Sequence, residues 1–357
     1  MGVNRILVIN PRSSFTKVAV FDNQNLVYLN KIFHDKSVFK DYEKVVDQCP
    51  FRKGLILNEL KNADISLDTI NIVVGRGGLL KPLKSGVYEV TDKIIDDLKN
   101  SPLGEDSVNL GGLIARSIAK SLNIKAYISD PVVIDELQDI ARISGHPLFE
   151  RKSIFHALNQ KAIAKQYAKN NSKEYEDLNL IVAHIGLGIT IGAHHKGKVI
   201  DVNQGYNGEG PFSPKRSGTL PIGDVIELCF SGDYSKEEML KMIAGKGGLN
   251  AYFGTSDASE IEDRALNKND KKALLVYKAM AYQISKSIGA MAAVLKFDID
   301  AILITGGVAN SKWFIEQIRD RIEKIADVNI FPGGDEMEAL AFNVLDVLEG
   351  REEICEY

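Results

Sequence analysis

The chain has 357 residues, of which 45% are hydrophobic and 26% charged, and its formal net charge is -4. This length allows two domains with separate cores, and the composition is that of a globular chain rather than a disordered or fibrous one. Because lysine and arginine are scattered and the net charge is negative, nucleic acid is not an expected partner.

In the first part of the chain, strand patterns alternate with helical ones. Residues 6–22 (ILVINPRSSFTKVAVFD) read as two strands joined by a polar turn, and residues 38–62 have helical spacing. A β-branched strand at 69–74 runs into a glycine turn and is followed by an amphipathic helix at 109–122 and a strand at 125–129. This order predicts an α/β fold with at least partly parallel sheets.

The second part repeats the same elements. A helical segment at 154–169 precedes residues 180–201 (LIVAHIGLGITIGAHHKGKVID), which again read as strand, turn and strand. A strand and glycine turn at 301–309 leads into a further helix, and an amphipathic helix follows at 336–348. The chain therefore contains one supersecondary pattern twice.

The domain boundary is predicted just before the helix at 154–169. We expect an N-terminal domain of residues 1–150, completed by the C-terminal segment 336–357, and a C-terminal nucleotide-binding domain of residues 151–335. No linker rich in proline, glycine or serine separates the two halves.

Both hairpins have turns that suit an anion. A tight turn between two strands exposes backbone N–H groups and hydroxyls, and these donate hydrogen bonds at low conformational cost. Because the pattern occurs in both halves, we expect two halves that close on one polyphosphate.

Other features exclude some classes of protein. Cys49, Cys229 and Cys355 are far apart and lack metal-ligand spacing, so neither a disulfide framework nor a zinc site is expected. His194 and His195 resemble a metal-binding pair, but neighbouring strand residues point to opposite faces of a sheet, so the two are not expected to bind one metal ion together. No apolar run reaches transmembrane length and the N-terminus lacks a signal-peptide pattern, so we expect a cytoplasmic chain without a membrane partner.

Longer blocks resemble butyrate kinase, a branch of the acetate kinase family. They are VVGRGGLLKP at 73–82, DPVVIDELQDIARISGHP at 130–147, RKSIFHALNQKAIAK at 151–165, GPFSPKRSGTLP at 210–221 and MAYQISKSIGAMAAVLK at 280–296. The resemblance covers residues 6 to about 350. It implies the two-domain fold of acetokinases, sugar kinases, heat-shock chaperones and actin, with a duplicated mixed-sheet core. It also implies transfer of the ATP γ-phosphate, with Mg²⁺, to a short or branched carboxylic acid, and a homo-oligomer.

The same resemblance assigns candidate site residues. The catalytic candidates are Arg216, His184, Asp130 and Asn10. The expected nucleotide-binding residues are Ser13, Ser14, Thr16, Lys17, Gly186, Gly188, Gly306 and Gly307. Arg76 and Asn109 are expected at the carboxylate substrate, and Asp130 and Glu336 at the Mg²⁺ ion.

Each assignment has a simpler structural alternative. His184 could be a core histidine whose hydrogen bonds are satisfied, and Arg216 a surface turn residue. Asp130 precedes a proline, a common place for a turn aspartate. The acidic residues Asp135, Glu136 and Asp139 fit a solvated helix face better than a metal cluster.

Several turn residues depart from the family pattern. Arg12 stands where the family has glycine, Phe15 where it has serine, and Leu187 at the middle glycine of the second turn. Asp106 occupies the position of an expected histidine. A side chain at such a glycine compromises positive φ or close backbone approach, although Arg12 also adds a cation.

Three interpretations follow. The first is a working carboxylate kinase with altered substrate preference, which the persistence of His184, Arg216, Asp130, Glu336 and Asn10 favours. The second is a nucleotide-binding relative with little transfer activity that acts as a sensor or partner-binding protein. A chaperone ATPase is a third, disfavoured because no substrate domain is appended.

Overall fold

The computed structural model describes residues 2–40, 42–334 and 336–357. These divide into two compact units, one of residues 2–135 with 336–357 and the other Glu136–Gly334. The boundary predicted before Arg151 therefore lies inside the second unit. The segment that precedes Arg151 is hydrogen-bonded within the second unit, because the Gln138 N–H donates to the Ile200 carbonyl at 3.0 Å. Met1 and Asp335, at the predicted domain ends, lie outside the described residues.

The secondary structure alternates along the chain as predicted. The strands are β1 (Arg5–Pro11), β2 (Phe15–Asp22), β3 (Asn25–Phe33), β4 (Ile72–Arg76), β5 (Val87–Glu89), β6 (Lys125–Ser129), β7 (Asn179–Ile185), β8 (Ile189–His195), β9 (Lys198–Val202), β10 (Ala301–Gly306), β11 (Val328–Pro332) and β12 (Ile354–Cys355). The helices are α1 (Cys49–Asn62), α2 (Asp92–Asn100), α3 (Leu110–Leu122), α4 (Asp139–Arg142), α5 (Ala157–Asn170), α6 (Ile222–Phe230), α7 (Lys236–Ile243), α8 (Leu249–Phe253), α9 (Ala258–Leu266), α10 (Lys271–Val294), α11 (Lys312–Ile322) and α12 (Glu336–Leu348).

Each unit is built on one mixed sheet, and the two sheets share a topology. The first has the order β12-β5-β6-β4-β1-β2-β3 and the second β11-β10-β7-β8-β9. In both, an antiparallel three-strand meander continues through its first strand into two parallel strands. The predicted α/β fold with a duplicated mixed-sheet core is confirmed.

Helices cover the central strands. In the first unit, α3 and α12 both pack against β1, β4 and β6. In the second, neighbouring residues of β7 point to opposite faces: Leu180 and Val182 lie in the cluster that contains α5 residues, and Ile181 and Ala183 in the cluster that contains α10 residues. Strands buried on both faces need an unbroken apolar run, which explains why β1 and β7 stand out in the sequence.

Two local predictions were wrong. Residues 38–62 do not form one helix, because two short 3-10 turns precede α1, which begins at Cys49 with Pro50 in its first turn. The prediction of a solvated helix face is also wrong for Glu136, although Asp139 is exposed at the start of α4. α4 has only four residues, and the Glu136 carboxylate lies 2.9 Å from the buried ammonium of Lys161.

Among the helices of the described residues, none is both long enough and apolar enough to span a bilayer.

Candidate functional site

The first of the two predicted anion-binding turns connects β1 and β2. The Arg12 N–H donates to the Phe15 carbonyl at 2.8 Å, which closes the turn over Ser13 and Ser14. Ser13 is exposed and Ser14 half-buried. Lys17 is half-buried and lies directly opposite Asn10 in the antiparallel register, so both side chains point to one face.

Thr16 has a structural role in this fold. Its side chain is fully buried, and its hydroxyl lies 2.8 Å from His34 Nε2 and accepts from Arg52 Nη1 at 3.2 Å. Arg52 also donates to the Arg12 carbonyl at 2.8 Å and to the Gln48 side chain, and these hydrogen bonds fix the position of the turn. Burial lowers the pKa of Arg52 to about 10. Thr16 therefore anchors the turn to α1, which does not favour its predicted contact with nucleotide.

His34 should make the stability of the protein pH-dependent. Burial, and then the charge of Arg52, lowers the pKa of His34 to about 4 from its ordinary 6.5. Between these values the unfolded chain binds more protons than the folded one, so the free energy of unfolding falls as pH falls, by up to about 1.4 kcal/mol per pH unit. Denaturant titrations of native protein and His34→Gln at about pH 7 and about pH 4.5 should show a smaller loss in the variant. The exposed His146→Gln serves as control, and an equal loss in all three proteins would contradict this origin.

Three candidate residues lie side by side at the carboxyl ends of parallel strands. β1 pairs with β4 through Ile9 and Gly75, which places Asn10 beside Arg76. β4 pairs with β6 through Arg76 and Ser129, the residue before Asp130. The carboxyl edge of a parallel sheet is where α/β proteins place their ligands.

Glu336 links this edge to the start of α12. Its carboxylate accepts from Arg76 Nη1 at 2.9 Å and 3.1 Å and from Asn10 Nδ2 at 2.7 Å. The guanidinium of Arg12 also pairs with it. Arg76 is 4% exposed, and burial, then the neighbouring Arg12, lowers the pKa of Arg76 to about 10, while Glu336 and Asp106 oppose this shift. Arg76 therefore keeps its charge at neutral pH.

Hydrogen bonds from neighbouring residues fix the Asp130 side chain. The residue is buried with φ of 37°, an uncommon conformation for a residue with a side chain. One carboxylate oxygen accepts from the Ser85 hydroxyl at 2.7 Å and the Gly86 N–H at 2.9 Å, and the other from Asn343 at 3.2 Å. These bonds describe a satisfied turn carboxylate.

Asn109 and Asp106 shape the loop that leads into α3. The buried Asn109 amide accepts from Leu79 N–H at 2.8 Å and donates to Ser101 and Gly104. Asp106 accepts from the Val108 N–H at 3.0 Å and so begins a short helical turn. Asn109 thus uses both ends of its amide within the loop, so its predicted contact with substrate gains no support here.

The residues at this edge do not fit a magnesium ion held by the protein. Glu336 accepts from two guanidinium groups, and Asp130 accepts three hydrogen bonds, whereas Mg²⁺ needs free carboxylate oxygens. Within the described parts of the chain, no three His, Cys, Asp or Glu side chains gather as a metal cluster. We assign no step to a metal bound at these carboxylates.

The His184 and Arg216 side chains both lie against the second turn. A Cβ on Gly186 would lie 2.9 Å from His184 Nε2, and one on Gly188 would lie 2.4 Å from Arg216 Nη1. The His184 and Arg216 side chains thus occupy the space that a side chain at either glycine would fill, so a substitution there would have to displace them. Arg216 also donates to the Gly205 carbonyl and lies 5.7 Å from the centre of the Tyr206 ring.

Sequence reasoning missed two residues that orient His184. Asn159 Oδ1 lies 2.6 Å from His184 Nδ1, which directs Nε2 toward the turn. The His156 ring stacks on the His184 ring with centroids 3.9 Å apart, and His156 Nδ1 lies 2.9 Å from the Thr190 hydroxyl. His156 and Asn159 both lie in the block at 151–165 that carried part of the family resemblance. They are three residues apart at the start of α5, a spacing that places two side chains on the same helix face and could have indicated their shared role.

A cavity of about 810 Å³ lies beside this turn within the second unit. Gly186, Leu187 and Gly307 line it, together with the acidic residues Glu262 and Asp263 of α9. Gly306 has φ of 96°, and a Cβ there would lie 2.4 Å from the Ile185 carbonyl, so β10 can approach β7 only with glycine at this position. The volume suits a ligand of nucleotide size.

Two departures from the family pattern do not obstruct the turns. Leu187 is 54% exposed, and its carbonyl accepts from the Ser213 hydroxyl at 2.7 Å and from the Lys215 N–H at 3.1 Å. Phe15 lies on β2 rather than in the turn. There it packs against Phe33 across the strand pair, with the Lys31 ammonium 4.1 Å from its ring centre. The expectation that a side chain at these positions compromises the turn gains no support for Phe15 or Leu187.

Replacing Leu187 by glycine should therefore raise neither the nucleotide affinity nor the turnover of the protein. We expect Leu187→Gly to change nucleotide affinity and turnover by less than about threefold, because its side chain lies on the open wall of the cavity. Gly188→Ala, one residue along, should lower turnover by at least about tenfold by displacing the Arg216 guanidinium. Calorimetric nucleotide titration and an acyl phosphate assay measure both, and a large gain with Leu187→Gly would show that this residue blunts the site.

The fold is shared with solved kinases that act on small carboxylic acids. A Porphyromonas gingivalis acetate kinase matches with a TM-score of 0.78 and 21% identity, over 97% of this chain and 100% of that one. An Entamoeba histolytica acetate kinase gives 0.76 and 16% over 99% and 100%, and a Francisella tularensis propionate kinase 0.72 and 18% over 95% and 98%. At these identities the likeness establishes the fold.

The family follows from the sequence itself. The model of the acetokinase family matches residues 146–328, which is 183 of the 357 residues. The chain belongs to the acetokinase family.

Proposed function

We propose that this protein is a carboxylate kinase that transfers the γ-phosphoryl group of ATP to butyrate or a related short or branched-chain acid. The observation that carries the proposal is the convergence of His184 and Arg216 on the glycine turn beside the cavity lined by Gly307. Family membership supports phosphoryl transfer to a carboxylate as the reaction class. The choice of acid within that class is our own inference from the sequence blocks that resemble butyrate kinase.

The reaction needs charge neutralisation rather than proton removal. A carboxylic acid with a pKa of roughly 4 to 5 is ionised at neutral pH, so its oxygen attacks phosphorus without a general base. The new P–O bond forms as the bond to the bridging oxygen of ADP breaks, and no proton is transferred. Cations and N–H donors aimed at the phosphoryl oxygens therefore supply most of the catalysis.

The second unit contains groups suited to this task. The Arg216 guanidinium is fixed against the turn by Gly188 and the Gly205 carbonyl, so it presents its charge with little reorganisation. His184, held at Nδ1 by Asn159, directs Nε2 at the same turn. We assign both to the transferring phosphoryl group, with the nucleotide in the adjoining cavity.

The first unit contains the group suited to the acid. Arg76 is a buried, charged guanidinium at the carboxyl edge of the sheet, and we assign it to the substrate carboxylate. Magnesium is proposed to accompany the nucleotide phosphates and not to be held by Glu336 or Asp130. A cytoplasmic homo-oligomer stays a prediction.

One observation favours the alternative of a catalytically weakened nucleotide-binding protein. Arg12, where the family has glycine, pairs with Glu336, the carboxylate that the resemblance assigns to the metal. A site that has lost a metal carboxylate can still bind nucleotide in the cavity of the second unit.

One assay separates the two functions. The protein is incubated with ATP, Mg²⁺ and separate acetate, propionate, butyrate, isobutyrate and valerate, and acyl phosphate is trapped with hydroxylamine. We expect acyl hydroxamate with at least one acid, formed on the order of a hundredfold or more slowly by Arg216→Ala. Calorimetric ATP binding without product from any acid would refute the kinase and support the alternative.

A further inference from the structure

Two guanidinium groups share one carboxylate at the carboxyl edge of the first sheet. Arg12 and Arg76 both pair with Glu336 Oε2, and Asn10 donates to the same oxygen at 2.7 Å. We call Arg12, Arg76 and Glu336 the arginine–glutamate cluster. Two positive groups and one negative group leave it with one net positive charge, and the Glu336 side chain is only 9% exposed.

The cluster keeps donors for a further anion. Arg76 donates to protein acceptors through Nη1 alone, and Arg12 through Nη2 alone, as far as the described residues extend. The remaining guanidinium N–H groups thus make no bond to these parts of the chain. Guanidinium forks with spare N–H groups suit the oxygens of a phosphate or carboxylate.

Arg12 is held in place by its backbone. Its N–H donates to Phe15 and its carbonyl accepts from the buried Arg52, so the turn has its course fixed on both sides of the Arg12 side chain. The Arg12 side chain is about one-third exposed and pairs with Glu336, which lies 324 residues later in the sequence. The Arg12 guanidinium therefore acts as a fixed cation at this carboxylate.

We propose that Arg12 replaces a divalent cation at Glu336, so that the arginine–glutamate cluster excludes metal and binds an oxyanion without one. A metal ion at Glu336 would have to displace Arg12 and lie beside Arg76, against the repulsion of both guanidinium groups. This proposal does not depend on phosphoryl transfer, because metal and anion binding are measured without turnover.

Manganese binding to the nucleotide-free full-length protein tests metal exclusion. Free Mn²⁺ is followed by its paramagnetic resonance signal in native protein, Arg12→Gln, Arg12→Lys and Glu336→Gln. We expect Glu336→Gln to leave native Mn²⁺ binding unchanged, and Arg12→Gln to raise Mn²⁺ affinity at least tenfold. Arg12→Lys, which keeps the positive charge, should not raise it.

A matched arginine controls for general effects of the substitution. Arg5 pairs with Asp22 in the same unit, 2.7 Å apart and partly exposed, so Arg5→Gln removes a similar ion pair outside the cluster. Arg5→Gln should bind Mn²⁺ as the native protein does. A native Mn²⁺ site lost in Glu336→Gln, or a folded Arg12→Gln protein without increased affinity, would overturn the proposal.

The second arm measures the anion. Inorganic phosphate and butyrate are titrated separately by calorimetry in the presence of a metal chelator. We expect at least one of them to bind native protein, with affinity at least tenfold weaker in Arg12→Gln and unchanged in Arg5→Gln. Binding of both anions only after Mg²⁺ is added would refute metal-independent binding, whatever the hydroxylamine assay shows.

Discussion

Replacing Arg216 by alanine should lower turnover by on the order of a hundredfold or more, with little change in nucleotide affinity. The guanidinium lies against Gly188 in the second turn. Under the proposed function, charge would develop at this turn during transfer, and the cavity beside it would supply most of the contacts to the nucleotide. Steady-state acyl phosphate formation gives turnover, and calorimetry gives the affinity for ATP.

Two further variants isolate the role of Arg216. Arg216→Lys keeps one positive charge but not the planar fork and should recover only part of the loss. Arg319→Ala removes an arginine of the same unit that forms an exposed pair with Glu316, and it should leave turnover unchanged. If Arg216→Ala lost nucleotide affinity and kept its turnover, Arg216 would be a ground-state binding residue.

Replacing Gly75 by alanine should lower the free energy of unfolding by at least about 3 kcal/mol, or prevent folding. A Cβ at this position would lie 2.1 Å from the Gly111 carbonyl oxygen, which is backbone and cannot rotate away. In return, a Cβ on Gly111 would lie 2.2 Å from the Arg76 carbonyl. The start of α3 packs directly on β4 at the strand end that carries Arg76.

Gly54 provides the matched control in the same unit. It is exposed within α1, and a Cβ there meets no atom within 4 Å. Gly54→Ala should therefore stabilise the protein by about 0.5 to 1 kcal/mol through reduced backbone entropy of the unfolded chain. Urea unfolding followed by circular dichroism measures both variants. Equal effects of the two substitutions would show that close packing at Gly75 is not the cause.

The sequence by itself determined the architecture of this protein. Apolar runs joined by short polar or glycine-containing turns marked both hairpins, and the helices α3 and α12 and the strand β6 lie close to their predicted bounds. These features are local, because the period of apolar residues and the glycines of a turn act within a few residues. For the same reason, Gly186 and Gly188 marked the turn that lies against the His184 and Arg216 side chains.

Only the tertiary structure decided which partner each polar side chain has. Asn10 and Glu336 are 326 residues apart, and nothing near either one in the sequence indicates that Arg12 and Arg76 converge on the same carboxylate. Thr16 looks like a phosphate-binding residue until α1 brings Arg52 against it. A side chain in a turn can point to solvent, to the site or to the core, and the choice depends on elements that pack there from distant parts of the chain.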